Sequence, residues 1–143
     1  MSVNSRGTVS AAILYCVVGA SAFLILPLLI GAAAEDFSLN EAQLGYLAAA
    51  AMSGSAVSAA LAIFWVRRIN WNKTMLTAML ILGCGHLFAI FADTYTLLIL
   101  GVLIASLGGG TAYSLAITIL SDNKNPDRVF GFCIAAQVSF QVI

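Results

Sequence analysis

The charged residues of this chain are gathered into short segments, and the stretches between those segments carry no charge at all. Charged side chains occupy only twelve positions: 6, 35, 36, 41, 67, 68, 73, 93, 122, 124, 127 and 128. Four uncharged stretches, residues 7–34, 42–66, 74–92 and 94–121, contain 28, 25, 19 and 28 residues. Since a helix needs about 20 apolar residues to cross a bilayer, each stretch predicts a membrane crossing. The 15 uncharged residues at 129–143 predict a fifth helix that is cut short.

These stretches are expected to be helices rather than strands. They show no alternation of polar and apolar residues, and a barrel strand would need only about 9 to 11 residues. The composition, 62% hydrophobic and 8% charged, is too apolar for a soluble domain. We therefore predict an all-α polytopic membrane protein with four complete transmembrane helices and a truncated fifth. The predicted bounds are about 9–33, 43–66, 73–92, 95–120 and 127–143.

Residues that commonly cap helices lie between the uncharged stretches. Ser38 and Glu41 have the spacing of a capping box, which predicts that the second helix begins near Leu39. A capping residue followed by Pro126 predicts that the fifth helix begins there. The other expected caps are Asn70 or Asn72 for the third helix, Asp93 or Thr94 for the fourth, and Asn125 for the fifth.

The cations indicate how the chain is oriented in the membrane. Four crossings put the N-terminus, the 67–73 loop and the 122–128 loop on one side, and that side receives all six Lys and Arg residues. The opposite loops, 35–41 and 93–96, contain acids and no cation. The positive-inside rule then predicts a cytoplasmic N-terminus in a multi-pass protein of the plasma membrane, with a bacterial inner membrane expected.

Two of the expected helices are rich in small residues. Between Gly45 and Ala60, twelve of sixteen residues are Gly, Ala or Ser. Three consecutive glycines, Gly108 to Gly110, lie near the middle of the fourth helix. Small residues let helices approach closely inside a membrane. We therefore expect the second helix to be packed in the interior, and the fourth helix either to contact a neighbour closely or to bend.

Polar uncharged residues are the main candidates for a site inside the membrane. Thr111, Ser114 and Thr118 share one side of the fourth helix, and Gln137 and Gln141 share one side of the fifth. These stripes fit a water-lined cavity. The alternative is that the residues bond to neighbouring helices or, for the hydroxyls, to the preceding turn.

Apart from the thiols and phenols, His86 is the one titratable side chain inside the uncharged stretches. Two interpretations are open: a histidine bonded to a neighbouring helix or reaching outward, or a proton carrier. No Asp or Glu within these stretches is available to carry a proton.

Several function classes are not indicated by the sequence. The net charge is zero without a basic run, so nucleic-acid binding is not expected. Cys16, Cys84 and Cys133 are far apart and form no metal-binding motif, so we expect buried thiols without a disulfide, metal or cofactor. Gly108 to Gly110 lack the strand and Lys of a phosphate loop. No enzyme signature is present.

The order of these features resembles the N-terminal part of the major facilitator superfamily. The resemblance rests on an outer loop ending at 37–45, a short basic inner loop at 67–73, a tight outer turn at 93–94, and a glycine-rich fourth helix followed by the loop 121–131. In the inner loop, Arg67 stands where the family usually has an acid, and Asn70 stands where it has a glycine.

The resemblance implies that residues 1–143 are a partial N-terminal domain, part of a six-helix half. Transporters of this family move small solutes, actively or by facilitation, as two halves rock around a central site. The implied partners are a small-molecule substrate, the lipid bilayer and the remaining helices of a full-length transporter. The implied cavity residues are Tyr15, Gly19, Thr111, Ser114 and Thr118, with Gln137 and Gln141 added from helix 5. The implied gating-loop residues are Arg67, Arg68 and Lys73.

A second hypothesis is a complete four-helix membrane protein that serves as a non-transporting accessory or assembly subunit. A small exporter of that size would need a buried carboxylate, and the stretches contain none. The reading frame beyond codon 143 separates the two hypotheses, since a transporter continues with further hydrophobic spans. On the first hypothesis, the 143 residues alone are not expected to transport.

Overall fold

The computed structural model describes residues 5–141, which form six helices and no strand. The helices are α1 (Arg6–Leu24), α2 (Leu26–Asp36), α3 (Glu41–Trp65), α4 (Trp71–Ile90), α5 (Tyr95–Ser121) and α6 (Pro126–Gln141). Four spans are long and apolar enough to cross a membrane: α1 with α2, α3, α4 and α5, of 31, 25, 20 and 27 residues. The predicted all-α class with four membrane-length spans is confirmed.

The first crossing was expected to be one helix, and this expectation is wrong because the helix breaks at Ile25. The break lies two residues before Pro27, which occupies the first turn of α2. Proline has no amide hydrogen to donate, and its ring clashes with the carbonyl four residues earlier, here that of Phe23. The Ile25 amide keeps the usual helical bond to the Ser21 carbonyl at 2.9 Å and also donates to the Phe23 carbonyl. The last third of the crossing, α2, thereby becomes a separate helix.

The cap of α3 also differs from the prediction. Ser38 has a positive φ of 48° and lies in the turn after α2, so it does not cap α3. Asn40 is the cap instead. Its side chain accepts a hydrogen bond from the Gln43 amide at 2.9 Å, and the Gln43 side chain accepts one from the Asn40 amide at 3.0 Å. The capping box therefore exists with amide side chains, two residues later than predicted. The predicted caps Asn70 and Thr94 are confirmed.

Helix α5 lies at the centre of the bundle. It packs extensively against α4, α3 and α1, while α6 packs mainly against α1. Thirteen of its residues are buried, including Leu115, Ala116 and Leu120, which have no exposed surface. The expectation of buried thiols holds for Cys16 and Cys133, but it is wrong for Cys84, which lies on an exposed face of α4. The fourth crossing, rather than the second, is thus the most enclosed helix.

Candidate functional site

The three consecutive glycines of α5 each face a different helix. A Cβ atom added to Gly108 would lie 2.7 Å from the Ala78 carbonyl oxygen of α4, and one on Gly110 would lie 2.7 Å from the Ser55 Cα of α3. On Gly109 it would lie 2.9 Å from the Gly19 carbonyl oxygen of α1. Real Cβ atoms do not approach other atoms so closely. The glycine triplet is therefore the point at which α5 contacts three helices through their backbones.

Serine hydroxyls reinforce the contact between α3 and α5 at the same level. Ser58 Oγ donates a hydrogen bond to the Leu107 carbonyl at 2.8 Å, and Ser55 Oγ donates one to the Ser106 carbonyl at 3.1 Å. Both serines are buried. Hydroxyl to carbonyl bonds between helices stabilise membrane bundles because lipid offers polar groups no partner. The bonds and the glycine contacts together hold α5 rigidly, which fixes the direction of its remaining face.

That remaining face of α5 carries the predicted polar stripe. Thr111, Ser114 and Thr118 are half-buried, whereas Ala112, Leu115, Ala116 and Ile119 on the other faces of the helix are buried. Toward the N-terminal end of α5 the same face continues with apolar residues, since Ile104 and Leu100 are 39% and 44% exposed. The least enclosed face of α5 is thus polar in its C-terminal half and apolar in its N-terminal half.

The two threonines of the stripe donate their hydroxyl protons to their own helix. Thr111 Oγ1 donates to the Leu107 carbonyl at 2.8 Å, and Thr118 Oγ1 donates to the Ser114 carbonyl at 2.9 Å. Bonding of the hydroxyls to the preceding helical turn, one of the alternatives that the sequence left open, is therefore present. A hydroxyl that donates in this way keeps its oxygen lone pairs for another donor. Within the described residues the Ser114 hydroxyl makes no hydrogen bond, so it is free to donate or accept.

Gln137 joins α6 to α1 through sulfur atoms. Its Nε2 donates to Cys16 Sγ at 3.1 Å and lies 3.5 Å from Cys133 Sγ. Tyr113 of α5 packs against the buried cluster that contains Cys16 and Cys133. The amide is half-buried, so part of it faces an open side. Sequence reasoning found Gln137 but missed both thiols, because cysteines 117 positions apart carry no pairing signal. Gln141 ends α6, and its side chain lies outside the described residues.

Tyr15 and Gly19 lie apart from the stripe. Tyr15 is half-buried and lines, with Thr8, Trp71 and Met75, a cavity of about 170 Å³ between α1 and α4. None of the stripe residues lines this cavity. Gly19 is buried against the backbone of α5 and borders no open space. The structure therefore brings Thr111, Ser114 and Thr118 together on one face, with Tyr15 at a separate place on α1.

His86 borders open grooves between α2, α4 and α5. Its Nδ1 lies 2.9 Å from the Leu82 carbonyl of its own helix, which accepts the ring proton. Nε2 is the remaining ring nitrogen. Asp36 and Phe37 at the end of α2 line the same groove, whose volume is about 420 Å³. No ion pair to His86 occurs within residues 5–141. The histidine is thus bonded within its own helix rather than to a neighbouring one.

The two loops at the cation-rich end are connected by one ion pair. Arg67 Nη2 lies 3.3 Å from Asp122 Oδ1, and the side chains are 73% and 33% exposed. Arg68 and Lys73 are exposed. The Asn70 side chain accepts hydrogen bonds from the amides of Asn72 and Lys73 and so orders the loop. Sequence reasoning identified Arg67 but not its partner Asp122.

A comparison with protein-family models decides the class of this bundle. The model described as the Major Facilitator Superfamily matches residues 11–138, which include most of α1, all of α2 to α5 and most of α6. The chain belongs to the Major Facilitator Superfamily. No curated protein and no solved structure gives a significant match.

Membership in the Major Facilitator Superfamily gives the chain a general function. Proteins of this family are transporters of small molecules in lipid bilayers rather than enzymes. The family match includes the glycine triplet, the polar stripe and the Arg67–Asp122 pair. The predicted family, the multi-pass membrane character and the transporter class are thereby confirmed.

Proposed function

We propose that this chain forms the cavity-facing part of the N-terminal half of a full-length transporter, and that this transporter moves a small solute by alternating access. Transporters of this kind bind substrate near the middle of the membrane, between two repeats that rock about the site. The glycine triplet supports the proposal because it gives α5 a rigid setting beside such a site. The remaining helices of the transporter complete the cavity in this proposal.

The substrate is proposed to be a neutral or weakly polar solute held by hydrogen bonds, such as a sugar or an aromatic compound. The observation that carries this proposal is the least enclosed face of α5, where Thr111, Ser114 and Thr118 offer hydroxyl oxygens. No Asp, Glu, Lys or Arg lies within the uncharged stretches that form the spans. A charged solute would lack an ionic partner on this part of the wall.

The other cavity residues take different roles in the proposal. Gln137 contributes at the side of the cavity through the half-buried amide that bonds Cys16. Tyr15 contributes from its separate place on α1, and its assignment rests on the family resemblance. Gln141 is proposed as a further cavity residue because the sequence pattern places it on the same side of the helix as Gln137. Gly19 acts by holding α1 against α5, since it has no open space beside it.

The proposed location is the plasma membrane, expected to be a bacterial inner membrane, with a cytoplasmic N-terminus. The support is the charge distribution: the loops bearing Arg67, Arg68, Lys73 and Arg128 hold cations, and the opposite loops hold acids. In this orientation the Arg67–Asp122 pair lies on the cytoplasmic side. Arg67, Arg68 and Lys73 are proposed to act in gating, because the loop between α3 and α4 must move relative to its surroundings when access alternates.

Transport assays with matched threonine variants test the substrate proposal. The protein expressed from its complete reading frame is reconstituted in proteoliposomes and screened with radiolabelled hexoses and aromatic solutes. Ser114→Ala combined with Thr118→Val should weaken binding of the transported solute by about 30-fold, because each of the two lost neutral hydrogen bonds contributes roughly 1 kcal/mol. Thr77→Val is the control, because Thr77 also donates to its own turn, at 3.0 Å, but is exposed on α4.

A second comparison separates cavity residues from loop residues. Gln137→Ala should weaken solute binding more than Gln43→Ala. Gln43 lies at the outer cap of α3, where its side chain accepts a hydrogen bond from the Asn40 amide. Equal losses in the two variants, or equal losses in Thr77→Val and the stripe variant, would contradict the proposed site. Uptake of an organic anion or cation but of no neutral solute would contradict the proposed substrate class.

A further inference from the structure

A groove between the ends of α1 and α6 is lined by both cationic and apolar residues. It has a volume of about 580 Å³ and lies at the end of the bundle where the cations gather. Arg6 and Arg128 line it together with Ser10 and Asn125, and Val9 and Phe132 supply apolar surface. Among residues 5–141, no acidic side chain lines it. A ligand that fits this groove therefore has an anionic head and an apolar body.

Arg128 is held at the wall of this groove by an aromatic contact. Its guanidinium carbon lies 5.7 Å from the centre of the Phe132 ring, one turn further along α6. Such a cation–π contact restricts the side chain without neutralising it. Arg67, by comparison, already has Asp122 as an ionic partner. Neither Arg6 nor Arg128 forms an ion pair within residues 5–141, so both guanidinium groups are available to an anion.

We infer that this groove binds the phosphate head group of an anionic phospholipid, with one acyl chain lying along Val9 and Phe132. A basic pocket between the ends of transmembrane helices has the charge and shape to hold an acidic lipid head group. A guanidinium offers several N–H donors to one phosphate, and the Ser10 hydroxyl and Asn125 amide are further donors nearby. The site depends on the proposed orientation only for which leaflet supplies the lipid, and it does not depend on the proposed substrate.

Lipid retention measured by native mass spectrometry tests this site. The full-length protein is released from nanodiscs containing equal amounts of phosphatidylglycerol and phosphatidylcholine, and the lipids that stay bound are counted. Wild-type protein should retain phosphatidylglycerol in preference to phosphatidylcholine. One arginine near an anionic lipid contributes about a fivefold change in affinity, so Arg6→Gln combined with Arg128→Gln should lower retention by about 25-fold.

The matched control removes the same charge at the same end of the bundle, outside the groove. Arg68→Gln combined with Lys73→Gln should leave phosphatidylglycerol retention within about twofold of wild type, because neither residue lines the groove. An equal loss in both double variants would show non-specific surface attraction and overturn the inference. Equal retention of the two lipids by wild-type protein would overturn it as well.

Two further measurements keep the test decisive. If the double variant does not fold, Arg128→Gln alone should reduce retention by about fivefold, and an unchanged value would count against the site. Added inorganic phosphate should compete poorly, because it lacks the apolar chain that packs on Val9 and Phe132. Displacement of the lipid by millimolar phosphate would identify a free-anion site instead.

Discussion

A Cβ atom added to Gly19 would lie 2.9 Å from the carbonyl oxygen of Gly109, and a Cβ atom added to Gly109 would lie 2.9 Å from the carbonyl oxygen of Gly19. The relationship is reciprocal because the two helices meet through their backbones at this point. Neither helix can make room by rotating a side chain, since the atoms in the way belong to the main chain. Any side chain at either position must push α1 away from α5.

Gly109→Ala is therefore expected to destabilise the bundle by about 1–3 kcal/mol, the usual cost of excess volume in a packed interior. Gly83→Ala is the control, because Gly83 lies in α4 with nothing within 4 Å of the added methyl group. In a helix, alanine is favoured over glycine by up to about 1 kcal/mol, so the control should be neutral or stabilising. Unfolding in mixed micelles measures both variants. A Gly109→Ala protein as stable as the Gly83→Ala protein would contradict the close contact.

The serine bonds between α3 and α5 give a smaller expected effect. Ser55→Ala combined with Ser58→Ala should cost roughly 1 kcal/mol of unfolding free energy, because bonds of this kind average about 0.6 kcal/mol each in membrane proteins. Ser53→Ala should cost nothing measurable, since Ser53 is exposed and donates only to the Ala50 carbonyl of its own helix. Identical melting curves for the double variant and the control would mean that these hydroxyls do not hold the helices together.

The glycine triplet illustrates how far the sequence alone could predict this fold. Three adjacent small residues predicted close packing or a bend, and close packing is what the structure contains. The identity of each neighbour could not be predicted, because successive helix positions point about 100° apart and the order of helices around α5 is a tertiary property. The break at Ile25 was missed for a different reason. The length of an uncharged stretch says nothing about hydrogen bonding, and Pro27 acts through the amide it lacks.

The candidate site shows the same division between local and distant information. The stripe of Thr111, Ser114 and Thr118 was predictable because residues three and seven apart share a helix face. The contact between Gln137 and Cys16 was not, because it joins residues 121 positions apart. Gly19 was expected at the cavity from the family resemblance. Its buried contact with Gly109 became visible only once the separation of α1 and α5 was known.

The Arg67–Asp122 pair should contribute little to stability, because both side chains are solvent-accessible. A double-mutant cycle with Arg67→Ala and Asp122→Ala should give a coupling energy of about 1 kcal/mol or less, and high salt should reduce it. Arg68→Ala is the comparison, since Arg68 forms no ion pair within residues 5–141. Its coupling to Asp122→Ala should be near zero. A coupling at Arg68 equal to that at Arg67 would contradict the specific pair.

His86→Gln is expected to leave the pH dependence of transport unchanged. The ring is tied by Nδ1 to the Leu82 carbonyl at 2.9 Å, and no acidic side chain is paired with it in the described chain. Asp36 lines the same groove, but no ion pair joins it to His86, so the ring has a local bond and no paired acid with which to exchange a proton. Glutamine keeps a side-chain donor but cannot carry a proton at physiological pH. Initial uptake rates are measured between pH 5.5 and 8.0, approximately the range in which histidine changes its charge. A flattened pH profile in His86→Gln, with solute binding unchanged, would instead support the alternative role of His86 as a proton carrier.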